Sequence, residues 1–223
     1  DPYVPHLNYN NIKLNSLKTI NVENIKSFDA SVIITDHSNI DYNLIASSSD
    51  LIIDTRNEYE IKIGSFKNTI NPKTKSFREF PKFIEERDIN KDQEIAMFCT
   101  GGIRCEKASS YLLMNGYKNV YQLEGGILNY LQYKKDKKNT TWKGECFVFD
   151  NRVAVNKKLT KGKYIQCYGC RSPLDKKDLR SKHYVKGVKC PYCYKIRSNK
   201  QINASKMRQK QIDDGRISYN NLS

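Results

Sequence analysis

Glu94-Ile95-Ala96-Met97-Phe98-Cys99-Thr100-Gly101-Gly102-Ile103-Arg104-Cys105 is the stretch that decides the fold. Its first half is a short apolar run, the pattern of a strand buried on both faces, and predicts a strand over Glu94 to Cys99. Gly101-Gly102 predicts a tight loop. Arg104 to Asn115 has the composition of a helix, and Gly116 stands where a helix C-terminus wants a left-handed residue. A strand, a glycine turn and a helix in immediate succession are one step of an α/β chain.

The same step recurs on either side. Leu51-Ile52-Ile53-Asp54 reads as a buried parallel strand, and Asn119 to Leu123 as a third. Ser76 to Arg87 is amphipathic and helical, with Pro81 expected to interrupt it. Gly125-Gly126 predicts a turn and Ile127 to Tyr133 a helix. The expectation is an α/β domain with a parallel sheet and flanking helices over residues 39–135. Residues 1–38 form an N-terminal segment with one short strand signal, Ser31 to Thr35, and a short helical pattern follows at Ile40 to Ser48. The run Lys134 to Lys138 reads as a linker. Residues 136–223 form a third region, with a strand signal at Cys146 to Phe149 and a Lys/Arg/Gln-rich stretch, Lys195 to Arg216, helical in part. There is no internal repeat.

Charge divides the chain the same way. The 223 residues carry 39 Lys+Arg and 24 Asp+Glu. Residues 1–130 hold 15 basic and 17 acidic side chains, a balance of −2, and residues 131–223 hold 24 and 7, a balance of +17. Heavy Lys, Asn, Ile and Tyr use suits an AT-rich genome, but compositional drift is blind to position and this charge is not. The rear region is expected to meet a polyanion, nucleic acid rather than membrane, because the amphipathic helix of a membrane contact is missing. No apolar run reaches the ~18 residues of a spanning helix, and no secretory segment opens the chain. The first residue is Asp1, which suggests a fragment or a processed start. Seven cysteines, four of them in two C-x-x-C pairs, fit a reducing cytoplasm better than a secreted disulfide framework.

Cys99 stands at the carboxyl end of a strand, where sheet ligands bind. The glycines allow backbone N–H groups to point at the sulfur, the following helix directs its positive end there, and Arg104 adds a cation. Such an arrangement favours thiolate over thiol. It also suits a sulfane sulfur, a phosphate or a developing oxyanion. Cys167-x-x-Cys170 and Cys190-x-x-Cys193, 19 residues apart, can close a tetrahedral four-sulfur site for structural zinc. An iron–sulfur site and four unligated thiols are the alternatives. Gly169 and Pro191 suit the turns. Basic side chains and tyrosines surround these pairs, a mixture that can neutralise phosphates and stack on unpaired bases. Cys146 is expected in the core, His183 at the surface, and Trp142 as an anchor of the linker.

The front domain resembles the rhodanese domain. Asp54-Thr55-Arg56 with Glu58-Tyr59 and Gly64 is similar to its first signature, Cys99 to Arg104 to its active-site loop, and Val120 to Ile127 to its closing motif. Arg104 lies five residues after Cys99, one fewer than in the related dual-specificity phosphatases, which disfavours a phosphatase. Met97 to Ser109 (MFCTGGIRCEKAS) with Gly144 to Asp150 (GECFVFD) resembles a narrower group, the rhodanese-containing tRNA uridine hydroxylases. These make 5-hydroxyuridine at the wobble position, residue 34 of tRNA, with molecular oxygen as co-substrate. The resemblance implies a catalytic Cys99, with Arg104 and Cys105 beside it, and substrate-binding roles for Asp54, Arg56, Gly101 and Gly102. It implies the tRNA anticodon loop as partner. Cys105 stands where ordinary sulfurtransferases commonly have Ser, and Ser65 where many members have His. Residues 1–38 are shorter than the ferredoxin-like domain that precedes the rhodanese domain in that group.

Three functions follow. Oxygen-dependent hydroxylation of the wobble uridine comes from the resemblance. A sulfurtransferase passing a Cys99 persulfide to an acceptor comes from the loop chemistry alone. A non-catalytic, zinc-stabilised RNA-binding module comes from the rear region. The histidines, His6, His37 and His183, are too scattered for a two-His-one-carboxylate iron site, and no flavin, haem or nicotinamide signature is present.

Overall fold

The computed structural model describes residues 6–9, 12–15, 51–134 and 140–218. The expected strand at Ser31 to Thr35, the helical pattern at Ile40 to Ser48 and most of the Lys134 to Lys138 linker lie outside them. The chain divides into two compact units. The first takes in Asp1–Ile61 and Phe66–Thr141, the second Lys62–Ser65 and Trp142–Ser223.

The first unit is built on three parallel strands, β3 (Leu51–Asp54), β5 (Glu94–Phe98) and β6 (Asn119–Gln122), in the order β3-β5-β6. Leu51 pairs with Ile95 and Asp54 with Phe98, while Glu94 pairs with Asn119 and Met97 with Gln122. Ile70 extends the sheet beyond β3 by a parallel bridge to Ile53. Ahead of the sheet, β1 (His6–Tyr9) and β2 (Ile12–Asn15) form an antiparallel hairpin that the sequence did not lead us to expect.

The apolar run of β5 is continuous because both of its faces are covered. Ile95, Met97 and Cys99 pack with Phe80, Ile84, Ala108 and Leu112 in one cluster. Phe98 faces the other way, edge-on to Phe66, which is edge-on in turn to Tyr130. Three helices supply these partners: α2 (Phe80–Glu85), α3 (Ile103–Met114) and α4 (Gly126–Tyr133). A fourth, α1 (Glu58–Ile61), is a single turn after β3. Pro81 does not break its helix. It sits in the first turn of α2, after a 3-10 turn at Phe77–Glu79, where a missing N–H costs no intrahelical bond. Gly116 follows α3 with φ +83°, the left-handed stop that the sequence predicted.

The second unit is made of short pieces. The strand β4 (Gly64–Phe66) pairs with β7 (Trp142–Gly144). Gly64 lies so close to the following backbone that a Cβ there would stand 2.4 Å from the Glu145 carbonyl oxygen. Trp142 is buried and donates its indole N–H to the Gly144 carbonyl at 3.0 Å. The strand predicted over Cys146 to Phe149 stops early. Only β8 (Cys146–Phe147) is paired, with β9 (Ala154–Val155), because the chain turns at once through Val153 in a left-handed conformation, φ +65°. Cys146 is fully buried, as expected. Cys167 and Cys170 lie in the connection from β10 (Ile165–Gln166) to β11 (Pro173–Leu174), and Cys190 and Cys193 in the turns that follow the one-turn α5 (Lys176–Leu179). The basic tail becomes α6 (Asn199–Asp213), started by a capping box of Ser198 and Gln201. No helix among the described residues is long and apolar enough to cross a membrane.

Candidate active site and four-sulfur cluster

Strand β5 delivers Cys99 to the carboxyl edge of the sheet, and the next residues wrap around its sulfur. The Gly102 N–H donates to Cys99 Sγ at 3.0 Å. The Arg104 N–H turns toward it as well. It can do so because α3 begins at Ile103, so this donor has no partner within the helix, whereas the Cys105 N–H meets the Gly102 carbonyl at 2.8 Å. Gly102 makes the turn with φ +93°. Gly101 is different: its φ is not positive and a Cβ there would meet open space. Of the two loop glycines, only Gly102 is required by the backbone.

The loop is held from behind. Ile127 N–H donates to the Cys99 carbonyl at 2.9 Å and Leu128 N–H to the Thr100 carbonyl at 3.1 Å. These are first-turn donors of α4, so the loop caps that helix while the helix fixes the loop's peptide planes. With these two carbonyls anchored, the loop turns at Gly102, whose N–H reaches the sulfur. Gly126 allows the approach, since a Cβ on it would lie 2.5 Å from the Cys99 carbonyl oxygen and its φ is +65°.

Cys99 is pulled from an ordinary thiol value of 9.0 down to about 5. The largest cause is a hydrogen bond from the Cys105 thiol. Burial opposes it, while the backbone N–H groups and the Arg104 charge reinforce it. Cys105 is pushed well above the thiol range by that same bond and by burial, and it is fully buried. One sulfur is therefore an anion and its neighbour a neutral donor. The Cys105 sulfur also lies 3.6 Å from Thr55 Oγ1, which contacts the Phe98 carbonyl at 3.0 Å.

Arg104 does not stand free beside the thiolate. Its guanidinium grips Glu60 with two bonds, of 2.7 and 2.8 Å, and Glu60 is fully buried. Burial works against the Arg104 charge, but the bonds and charge of Glu60 outweigh it and hold the group above its ordinary value. Glu60, Thr55 and Gly126 are site residues that the sequence reading did not single out. For Glu60 the only signal was negative: a buried Arg needs a carboxylate, and this one is 44 residues away in sequence.

Asp54 and Arg56, expected to bind substrate, are both fully buried and bind each other, with Arg56 Nη2 to Asp54 Oδ2 at 2.6 Å and Nε to Oδ1 at 2.9 Å. They brace the strand end beside the loop. Gly101 and Gly102 do lie on the exposed rim of the loop. Cys99 itself is 2% exposed, so the sulfur is reached only through the mouth of its own loop.

In the second unit Cys167, Cys170, Cys190 and Cys193 converge, with all four sulfurs within 4.8 Å of one another. A tetrahedral cation with sulfur bonds of about 2.3 Å needs sulfur–sulfur edges of about 3.8 Å. The observed edges include Cys170–Cys190 at 3.7 Å, Cys190–Cys193 at 3.7 Å and Cys167–Cys193 at 4.0 Å. All four are free of disulfides. The spacing fits a metal ion. Gly169 lies in the first turn, as expected, and left-handed Arg171, φ +66°, follows it. Gly169 also permits close approach, since a Cβ there would lie 2.5 Å from the Val188 carbonyl oxygen. His183 is half-buried and stacks on Tyr194 with ring centroids 3.7 Å apart.

Residues 41–133 match the model of the rhodanese-like domain, and the fold of this region is rhodanese-like. A rhodanese-related protein from Thermoplasma volcanium is 25% identical, over 37% of this chain and 76% of its own, with a TM-score of 0.31. A rhodanese-like domain protein from Staphylococcus aureus is 27% identical, over 35% of this chain and 71% of its own, with a TM-score of 0.30. A Rhodanese_3-like domain from Anabaena is 16% identical, over 42% of this chain and 97% of its own, with a TM-score of 0.34.

Alkylation of Cys99 by iodoacetamide, followed at that peptide by mass spectrometry, should rise through pH about 5 and be level by neutrality. Cys105→Ala should move the inflection upward, because it removes the main stabilising donor. An inflection near 9 in the parent chain contradicts the site as described. The glycines should separate in the same assay. Gly101→Ala should leave stability within ~0.5 kcal/mol and the profile unchanged. Gly126→Ala should cost at least ~1–2 kcal/mol for the left-handed backbone alone, read by urea unfolding, and should displace the profile.

Proposed function

We propose that this chain, on the strength of a rhodanese-like domain with an ionised loop cysteine, hydroxylates C5 of the wobble uridine in tRNA with molecular oxygen. The observation that carries the reading is the placement of Cys99 at the strand end, its sulfur accepting the Gly102 N–H at 3.0 Å, with Cys105 buried in the first turn of α3, an arrangement that lowers the first thiol and raises the second. It sits within Met97 to Ser109, the stretch whose sequence resembles the tRNA uridine hydroxylases.

The Cys99 thiolate adds to C6 of the uracil ring, and the electron pair of the C5–C6 bond moves toward C5 and the O4 carbonyl. Loop N–H groups are the donors near the sulfur that such an oxyanion can use. C5 then bonds to one oxygen atom of dioxygen and takes up a hydroperoxide. Two electrons and two protons from a thiol pair reduce the distal oxygen to water, and Cys105 is the nearest thiol. Loss of the C5 proton expels Cys99 and restores the ring double bond. Uridine, dioxygen and two thiols give 5-hydroxyuridine, water and a disulfide, which an external thiol reopens. The base must leave its stack, which is cheap in a single-stranded loop. The net +17 of residues 131–223 supports an RNA partner.

A second reading is sulfurtransfer, favoured by the match to the rhodanese-like domain and by a loop whose N–H groups could equally hold a terminal persulfide. For the second unit we propose structural zinc. Four thiolates leave no open position for catalysis.

Nucleosides of tRNA from cells lacking this gene, and from cells regaining it, decide between the readings. Loss of 5-hydroxyuridine, restored by the parent gene and not by Cys99→Ser, is the expected result. Loss of a thiolated nucleoside would replace hydroxylation by sulfurtransfer, and an unchanged profile overturns both. Purified protein should hold about one zinc by elemental analysis. Chelation should loosen the second unit while the Cys99 alkylation profile stays in place, because the two sites share no residue. Fresh protein without metal contradicts the zinc site.

A further inference from the structure

From Leu179 to Ile212 the chain contains ten Lys or Arg and no Asp or Glu. Most of the second half of that stretch is α6, a helix the Cys99 chemistry does not use. Its inner side is fixed. Ser205 and Gln209 are buried, and two arginines tie the helix to the backbone around the cysteine turns. Arg197 bonds the Val188 carbonyl and, at 2.9 Å, Ser205 Oγ. Arg208 reaches the Tyr168 carbonyl at 2.8 Å and the Gly187 carbonyl at 3.1 Å. Tyr168 lies between Cys167 and Cys170, and Gly187 and Val188 lead into Cys190. Both guanidinium groups hold the helix against the turns of the four-sulfur cluster.

The outer side carries a different set. At 100° per residue, Lys200, Lys206, Met207 and Lys210 share one side of the helix, over about 15 Å of its length. All four are exposed, and Met207 is the only large apolar group on that side. None of the three lysines takes part in an ion pair among the described residues. Lys206 and Lys210 are one turn apart, a like-charge pairing that costs an isolated helix roughly 0.2–0.5 kcal/mol. The nearest acidic groups, Asp213 and Asp214 at the end of the helix, are engaged by Gln209 and Arg216 and not by these lysines, so the strip keeps a cationic face complementary to a line of phosphates. A membrane surface would need a broad apolar side, and the apolar residues Ile202 and Ile212 are on the inner one.

We infer that the outer side of α6, through Lys200, Lys206 and Lys210, binds the phosphate backbone of RNA, and that Arg197 and Arg208 set its angle on the four-sulfur cluster. The inference rests on the tRNA reading for the identity of the RNA, and its test reads binding, not modification. Binding of unmodified tRNA should be measured across a salt series for the full chain, for a Lys200→Gln, Lys206→Gln, Lys210→Gln variant, and for the same three positions changed to Arg. The Gln variant should weaken binding and flatten the log–log salt slope by about 2–3, at roughly 0.7–0.9 per phosphate contact. The Arg variant should keep both, and Cys99 alkylation should be the same in all three. An unchanged slope in the Gln variant overturns the inference while leaving the nucleoside test of function untouched. A parent chain that binds phosphatidylserine vesicles in preference to tRNA overturns it also.

Discussion

Two hydrogen bonds, from the N–H groups of Ile127 and Leu128 to the carbonyls of Cys99 and Thr100, set the geometry on which the site depends. They fix the peptide planes at the end of β5, and a peptide plane that sends its carbonyl one way sends its N–H the other. The donor at the Cys99 sulfur, Gly102 N–H, belongs to the turn that follows the anchored peptides. Gly126 is needed for the close approach and Gly102 for the turn, whereas Gly101 meets neither constraint. Main-chain anchoring positions the sulfur, and the Cys105 thiol beside it contributes most to its ionisation.

Charge plays a smaller part in the thiolate than the sequence motif suggests. Arg104 is the cation of the loop, yet its guanidinium is bonded to a buried carboxylate, and its charge is the smallest of the causes that act on the sulfur. A neutral thiol and backbone donors supply most of the stabilisation of Cys99. Breaking the pair from either side would strand a buried charge, at a typical cost of about 3–5 kcal/mol. The Arg104–Glu60 pair therefore constrains the loop as well as tuning it. The Asp54–Arg56 pair is a second buried ion pair, at the neighbouring strand end. Both pairs come from the segment directly after β3 or reach into it, so the first signature of the domain is largely scaffold.

The second unit solves another problem, that of ordering a basic, apolar-poor chain. Its cluster around the cysteines includes only Leu174, Leu179 and Tyr184 as larger apolar partners. So little apolar surface cannot order the segment alone, and metal binding is the usual remedy in small units. The arginines that dock α6 act on carbonyls of the cysteine turns, so order at the sulfurs is transmitted to the helix through main-chain bonds.

The three strands, the helices after Gly102 and Gly125, the reactive cysteine and the two C-x-x-C pairs were legible in the sequence. Each is a local matter, decided by apolar periodicity, glycine and residue spacing over a few positions. The hairpin at His6–Asn15 carries an alternation of its own, Leu7, Tyr9, Ile12 and Leu14 about Asn10-Asn11, and the sequence reading missed it because each run is only four residues long. Near Pro81 the expected helix divides into a 3-10 turn and α2, and Pro81 falls in the first turn of α2, where its missing N–H costs nothing. The partners of the site were decided by tertiary structure alone. Glu60 meets Arg104 across 44 residues and Thr55 meets Cys105 across 50, while Asp54 and Arg56 face each other. The sequence specifies which groups can ionise or donate. Which of them face one another, and which one is left as the anion, depends on distances and burial that exist only once the strand ends are brought together.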